Sequence, residues 1–205
     1  MNIAILFSDK ISGFQRSIQK YREYIFENNP VHIFIAHNSC NNVVLSFLKA
    51  YANVHAFSGV YKMPDDGPIT YLESYSDPTG YYLSSMWYHR YLAYKIMKDY
   101  SIINNVKFDI VISATTGLII TSTFNIYLPH ENTIYIPNNS DYDGINDKFA
   151  YGSMNSMEIY CNLYKNVKTR TRRPEILLND YLMSTGININ RIELNYYLPS
   201  ATCWS

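Results

Sequence analysis

Short, continuous apolar runs that each end in polar residues constrain the fold of this chain more than any other feature. Residues 3–7 read Ile-Ala-Ile-Leu-Phe, and residues 31–36 read Val-His-Ile-Phe-Ile-Ala. Runs that are apolar on both faces are typical of buried parallel strands. An amphipathic segment from Phe14 to Phe26 separates the two runs, so the chain begins in β-α-β order. Right-handed crossovers would then place the polar residues that follow each strand at one edge of a sheet.

The same alternation continues along the chain and predicts a single α/β domain over residues 1–205. Its central sheet is expected to be mixed but mostly parallel and flanked by helices. The segment 60–80 is rich in proline, glycine and aspartate, which favours a long loop. The remaining predicted elements are strands at 53–58, 107–113 and 133–136, helices at 42–51, 82–100, 154–164 and 174–183, and an edge strand within 187–197.

Charge and cysteine usage exclude several classes of protein. Lysine plus arginine equals aspartate plus glutamate, at 17 each, so no net field attracts nucleic acid. The three cysteines are widely spaced and odd in number, which argues against a disulfide framework and against a zinc site. The first residues lack the pattern of a signal peptide, and no apolar run reaches the roughly 18 residues of a membrane span. We therefore expect a cytoplasmic protein.

Polar residues after the first two predicted strands are candidates for binding a nucleotide. Ser8, Asp9 and Lys10 follow the first strand, and His37 follows the second. Ligands of open α/β sheets bind beyond the carboxyl ends of the strands. The alternative interpretation is a turn with a helix cap after the first strand, and a structural histidine after the second. Arg90, on the strongest helix pattern, is a weaker candidate for a phosphate contact.

The segment from Asp141 to Tyr160 combines three aspartates, two asparagines, a lysine and two glycines between a predicted strand and a predicted helix. Short polar side chains at this density suit a sugar better than a core. The alternative is a turn stabilised by its own aspartate and asparagine side chains, because Asp143-Gly144 is a favourable turn pair. Asn146 or Asp147 would then cap the following segment.

Two stretches resemble nucleotide-sugar glycosyltransferases of the GT-A type, in the family that chlorella viruses and other large DNA viruses encode for capsid glycans. One is the strand Phe108-Asp109-Ile110-Val111-Ile112, and the other is Gly144-Ile145-Asn146-Asp147-Lys148-Phe149-Ala150-Tyr151-Gly152 after Ile136-Pro137. The resemblance covers residues 87–182. It implies a GT-A-like fold, a uridine-diphosphate sugar as donor, a glycan or glycoprotein acceptor, and Mn²⁺ or Mg²⁺ at the diphosphate. For a viral protein the expected compartment is the host cytoplasm.

The resemblance also implies roles for individual residues. Asp147 would orient or deprotonate the acceptor hydroxyl, which requires a carboxylate within hydrogen-bond reach of it. The residues on the sugar and acceptor side would be Asp141, Asp143, Asn146, Lys148 and Gly152. Together with the candidates at the strand ends and on the helix pattern described above, the residues on the donor side would be Ser8, Asp9, Lys10, His37, Arg90, Thr115 and Thr116.

The chain departs from the family where the acidic, metal-binding motif belongs, because residues 113–117 read Ser-Ala-Thr-Thr-Gly. A leaving diphosphate develops charge that a cation must stabilise. One interpretation is a metal-independent transferase that uses Lys10, Arg90 or the basic run 168–173. A second is a degenerate domain that binds sugar or nucleotide without turnover. In the third, a carboxylate of the 60–80 loop, most plausibly Asp77, holds the metal.

Overall fold

The computed structural model describes residues 1–8, 14–26, 29–37, 53–58, 78–166 and 173–199. A π-helical turn, Arg22–Phe26, extends the first helix. The helices are α1 (Phe14–Tyr21), α2 (Pro78–Asn104), α3 (Met154–Cys161), α4 (Leu163–Asn166) and α5 (Pro174–Thr185). The strands are β1 (Ile3–Ser8), β2 (Val31–His37), β3 (Asn53–Ser58), β4 (Ile110–Thr115), β5 (Ile119–Ile120), β6 (Thr133–Pro137), β7 (Phe149–Gly152), β8 (Asn188–Ile192) and β9 (Tyr196–Tyr197).

Seven of these strands form one sheet in the order β3-β2-β1-β4-β7-β6-β8, and β5 pairs with β9 separately. The pairs β1–β2, β2–β3, β1–β4 and β6–β8 are parallel. Strand β7 is antiparallel to both of its neighbours, β4 and β6. The predicted mixed, mostly parallel sheet is therefore confirmed, and β8 is the predicted edge strand.

Both faces of the inner strands of the sheet are covered, because strands such as Ile3–Ser8 are buried along their whole length. Helices α2, α3, α4 and α5 pack on one face, where side chains such as Leu6 and Val111 point. Helix α1 and the segment around Phe124 cover the opposite face, with Ile5 and Ile112. The continuous apolar runs of the sequence reflect this burial on both sides.

Helix α2 runs opposite to the parallel strands. The ring of Tyr100, near the end of the helix, lies 5.5 Å from that of His32, near the start of β2. It also lies 5.6 Å from the ring of Phe34. The first half of α2, with Trp87 and Arg90, therefore lies towards the carboxyl ends of the strands.

Several predicted boundaries needed correction. Residues 78–80 were assigned to the 60–80 loop but begin α2, and proline is well tolerated in the first turn of a helix. Strand β4 covers 110–115 rather than 107–113. The helix predicted at 154–164 breaks at Asn162, whose N–H reaches the carbonyls of both Glu158 and Ile159. Residues 42–51 and 59–77 lie outside the described residues.

Strand β7 was not predicted, although it decides the position of the polar segment before it. Its four residues, Phe-Ala-Tyr-Gly, are all buried. A run this short carries little period-2 signal, and its final glycine is unfavourable in strands. It forms because β4 and β6 lie on either side of it and each provides backbone hydrogen-bond partners.

None of the described helices combines the length and the apolar character needed to cross a membrane. Helix α2 has 27 residues. It includes charged side chains such as Arg90, Lys95 and Lys98.

The loop between β6 and β7, residues 138–148, is fixed against the start of α5. The N–H of Ile145 donates to the carbonyl of Glu175 at 3.1 Å. The backbone of Gly144 approaches the same turn so closely that an added Cβ would overlap the backbone of Glu175 and Ile176. This contact, rather than an unusual φ angle, requires glycine at position 144.

We predict that Gly144→Ala destabilises the protein by about 3 kcal/mol or more, at or above the upper end of ordinary overpacking, because rigid backbone must move. Urea unfolding monitored by circular dichroism measures this. The control is Gly186→Ala, at the end of α5, where φ is +69° and nothing lies within 4 Å of the added Cβ. Its cost should be only the left-handed backbone penalty of about 1–2 kcal/mol. Equal costs for the two variants would contradict the close approach.

Candidate functional site at the carboxyl edge of the sheet

The pairing of β7 with β4 places the end of the 138–148 loop at the carboxyl edge of the sheet. Phe149 pairs with Ala114, and the N–H of Thr115 donates to the carbonyl of Lys148 at 2.9 Å. On the other side of β4, Thr115 pairs with Ser8, the last residue of β1. Lys148, Thr115 and Ser8 therefore lie side by side where β1 and β4 end.

Lys148 forms the centre of a cluster of buried charges at this edge. Its ammonium contacts Asp147 Oδ1 and lies 3.4 Å from Glu175 Oε1 on α5. The side chain of Asp147 has no exposed surface, and that of Lys148 is 22% exposed. Burial by itself lowers the pKa of Lys148, but the charges and hydrogen bonds of Asp147 and Glu175 outweigh it and raise that pKa above its ordinary value of 10.5.

Arg90 brings a second buried cation from helix α2. Its Nη2 donates to the backbone carbonyl of Asp147 at 3.0 Å, and its Nη1 donates to the hydroxyl of Tyr160 at 3.2 Å. The guanidinium carbon lies 4.3 Å from the centroid of the Trp87 ring, a cation–π contact. Burial raises the pKa of Tyr160. The charge of Arg90 opposes this increase and the charge of Asp147 adds to it, so the phenol is neutral.

Several buried polar atoms near this cluster have no hydrogen-bond partner within the described part of the chain. On the sheet, strand alternation points Ser8 and Ser113 towards the face that α2 covers. A buried polar atom left without a partner costs about 1–3 kcal/mol, and such atoms are uncommon in native structures. The atoms in this group are Ser8 Oγ, Trp87 Nε1, Arg90 Nε, Ser113 Oγ and Asp147 Oδ2.

Asn146 and Asp141, two predicted sugar contacts, stabilise the loop itself. Asn146 is fully buried, and its Nδ2 donates to the carbonyl of Asn139 and to the hydroxyl of Tyr196, both at 2.6 Å. Its Oδ1 accepts from the N–H of Lys148 at 2.8 Å. Asp141 accepts from the N–H of Asn146 at 3.0 Å and forms an ion pair with Arg191 at 2.7 Å. These contacts agree with the alternative interpretation of this segment, a turn stabilised by its own aspartate and asparagine side chains.

The structure does not bring Asp143 or Gly152 to the charged cluster. Asp143 is exposed and contacts Arg173. Gly152 lies at the opposite edge of the sheet, because β7 runs antiparallel and this residue pairs with Val111 near the start of β4. The expectation that Gly152 lies with Asp147 is therefore corrected. An added Cβ at Gly152 would lie 3.0 Å from the carbonyl oxygen of Thr133, so close packing accounts for the glycine.

The structure locates only some of the predicted donor-side residues. Ser8, Arg90 and Thr115 lie at the carboxyl edge, as described above. The carbonyl of Thr116 accepts from the hydroxyl of Ser17 on α1 at 2.7 Å, so its backbone is held against the other face of the sheet. His37 ends β2, and its backbone alone is described. Asp9, Lys10, Asp77 and residues 168–172 of the basic run lie outside the described residues.

The described residues at this edge offer two carboxylates as possible ligands for a divalent cation. No group of three histidine, cysteine, aspartate or glutamate side chains comes together among them as a set of metal ligands. The nearby carboxylates, Asp147 and Glu175, both contact the ammonium of Lys148. Thr115 and Thr116 occupy the end of β4, where the resemblance implied an acidic motif.

Glu175 and Tyr160 were not recognised from the sequence as members of the cluster. Glu175 follows the proline that begins α5, where an acidic residue is common in any helix. Tyr160 lies within the helix predicted at 154–164, and nothing in that pattern points to its hydroxyl. Glu175 contacts Lys148, which is 27 residues away in the sequence, and Tyr160 contacts Arg90, which is 70 residues away. No local sequence pattern indicates such contacts.

Neither the protein-family models nor the curated proteins compared with this sequence gave a match. We therefore infer what the site can do from the positions and contacts of its residues.

We predict that Lys148→Met lowers the free energy of unfolding at pH 7 by about 3–5 kcal/mol, because it leaves the buried carboxylate of Asp147 without its partner. Since the folded-state pKa of Lys148 is raised, its stabilising contribution is complete below pH 10.5. The difference between wild type and Lys148→Met should shrink as the pH rises further, through the folded-state pKa. Urea unfolding over a pH series measures both effects.

The matched control for this prediction is Lys98→Met. Lys98 pairs with Glu158 at 2.7 Å, but both side chains are more than a third exposed. An exposed pair contributes at most about 1 kcal/mol. A loss in Lys148→Met as small as that in Lys98→Met would contradict a stabilising buried pair at Asp147.

Proposed function

We propose that this protein is a glycosyltransferase that moves a sugar from a nucleoside-diphosphate donor, with uridine diphosphate as the expected leaving group, to a glycan hydroxyl. The observation on which the proposal mainly rests is the carboxylate of Asp147. It is buried at the carboxyl edge of a mostly parallel sheet, beside two cations, and its Oδ2 has no hydrogen-bond partner among the described residues. Carboxyl edges of such sheets are where ligands bind.

In the proposed reaction Asp147 Oδ2 accepts the proton of the acceptor hydroxyl. The hydroxyl oxygen forms a bond to the anomeric carbon of the donor, and the bond from that carbon to the diphosphate breaks, leaving its electron pair on the phosphate oxygen. General-base catalysis of this kind is worth about 10²–10⁴-fold in rate. Because Oδ2 is buried, acceptor binding must displace the side chains that cover it.

The leaving diphosphate would be stabilised by hydrogen-bond donors of the chain itself. Arg90 is 1% exposed, and among the described residues neither its Nε nor the hydroxyl of Ser8, at the end of β1, has a hydrogen-bond partner. Donors that are already in place cost little reorganisation when negative charge develops. This arrangement supports the metal-independent interpretation of the missing acidic motif, in which Arg90 stabilises the leaving diphosphate.

A second candidate function is a domain of the same fold that binds a sugar or nucleotide without turnover. The observation that favours it is the ion pair between Asp147 and Lys148, because the ammonium already occupies one oxygen of the carboxylate that the transfer reaction would use. The two candidates differ in one measurable product, which is free nucleoside diphosphate.

We predict that the wild-type protein releases uridine diphosphate from a uridine-diphosphate sugar, and that Asp147→Asn reduces the release by about 100-fold or more. A coupled assay on a panel of such sugars, with mixed oligosaccharide acceptors, measures the rate. Parallel assays with Mn²⁺ and with a chelator test the metal-independent interpretation. Thermal melting of each variant shows that it remains folded.

The control is Asp180→Asn, which alters an exposed carboxylate on α5 and should leave the rate unchanged. An active wild type with an equally active Asp147→Asn variant would remove Asp147 from the reaction. If the protein binds the donor but releases no uridine diphosphate, with or without a metal ion, the transferase proposal is wrong and the binding domain is the better explanation.

A further inference from the structure

Lys148 lies where it can act on the chemistry of Asp147 without touching a sugar. The resemblance placed Lys148 among the sugar and acceptor contacts. In the structure its ammonium lies between two carboxylates, Asp147 and Glu175. Its backbone is fixed as well, because its N–H donates to Asn146 Oδ1 and its carbonyl accepts from Thr115. Both ends of this side chain are thus held by the protein.

The two oxygens of the Asp147 carboxylate have different environments. Oδ1 is bound by the Lys148 ammonium, whereas Oδ2 is buried without a hydrogen-bond partner among the described residues. The carbonyl of Asp147 is held by Arg90 at 3.0 Å, which fixes the backbone from which the carboxylate projects. The ion pair restricts rotation about the terminal bond of the side chain, which fixes the direction in which the second oxygen points.

We propose that Lys148 is a positioning residue that holds Oδ1 of Asp147, so that Oδ2 is the oxygen that takes the acceptor proton. This inference rests on the proposed transferase function. Lys148 then touches neither the donor nor the acceptor and acts only through Asp147. Glu175 completes the arrangement, because its carboxylate takes up a second bond of the ammonium and limits where Lys148 can move.

The charged and titratable groups around Asp147 come from its own loop and from the helices α2, α3 and α5. Arg90 on α2 and Lys148 in the loop are cationic, Glu175 on α5 is anionic, and the phenol of Tyr160 on α3 is neutral. With Asp147 itself, these groups sum to zero charge. Replacing Lys148 with an uncharged residue would leave the group with a net negative charge. It would also remove the contact that holds Oδ1 of Asp147.

The inference predicts a specific kinetic pattern for Lys148→Met. Misplacing a reacting group by about 1 Å can cost about 100-fold, so kcat should fall by about that factor. KM for the uridine-diphosphate sugar and for the oligosaccharide acceptor should not change, because Lys148 contacts neither. A sugar contact would show the reverse pattern, with a raised KM. Lys148→Arg, which keeps the charge, should recover part of kcat, and Lys98→Met should match wild type.

The deciding measurement is a double-mutant cycle with Asp147→Asn. If Lys148 acts through Asp147, then Lys148→Met should cause no further loss in the Asp147→Asn background, and the double variant should be as slow as Asp147→Asn alone. This comparison is made in a background that has lost the buried negative charge, so it does not require Lys148→Met to be stable by itself. Lys148→Gln, which retains a hydrogen-bond donor, is the second single variant.

The outcomes separate this inference from the proposed function. Additive losses in the double variant, or a raised KM with unchanged kcat in Lys148→Met and Lys148→Gln, would overturn the positioning role while the transferase remained. A wild-type protein that releases no uridine diphosphate would overturn the transferase and the positioning role together.

Discussion

The antiparallel pairing of β7 with β4 determines where the cluster of buried charges lies. Strand β4 runs with β1 towards the carboxyl edge, and β7 begins at that edge. The residues just before β7, Asp147 and Lys148, therefore lie beyond the end of β4. A parallel strand at this position would have brought the same residues to the opposite edge, away from Arg90. One reversed strand thus brings the polar segment to the carboxyl edge of the sheet.

Buried charge is the second constraint, because an ion without a partner is costly inside a protein. Lys148 bridges the carboxylates of Asp147 and Glu175, which come from the loop and from α5. Arg90 stacks on Trp87 and donates to a carbonyl and a phenol. Three helices and a loop are therefore tied to one small group of charges. Substitutions in that group are therefore expected to affect folding as well as the proposed reaction.

The sequence was sufficient to predict the parallel part of the sheet, since strands such as Ile3–Ser8 are buried on both faces and read as apolar runs. The strand pattern also indicated the carboxyl edge, whereas the role of Asp147 was implied only by the family resemblance. The sequence did not indicate β7, whose four residues depend on neighbours already in place. Nor did it indicate Glu175, because its contact with Lys148 exists only after α5 has packed against the loop.

Composition could not separate the three aspartates of the polar segment, but their environments do. Asp143 is exposed on the surface, and Asp141 is engaged by Arg191 and by the N–H of Asn146. Asp147 is the buried one, and one of its oxygens has no partner within the described residues. A chain selected for stability alone would pair or remove such an atom, since leaving it unpaired costs free energy. That cost is understandable if a substrate proton is the partner for which Asp147 Oδ2 is kept.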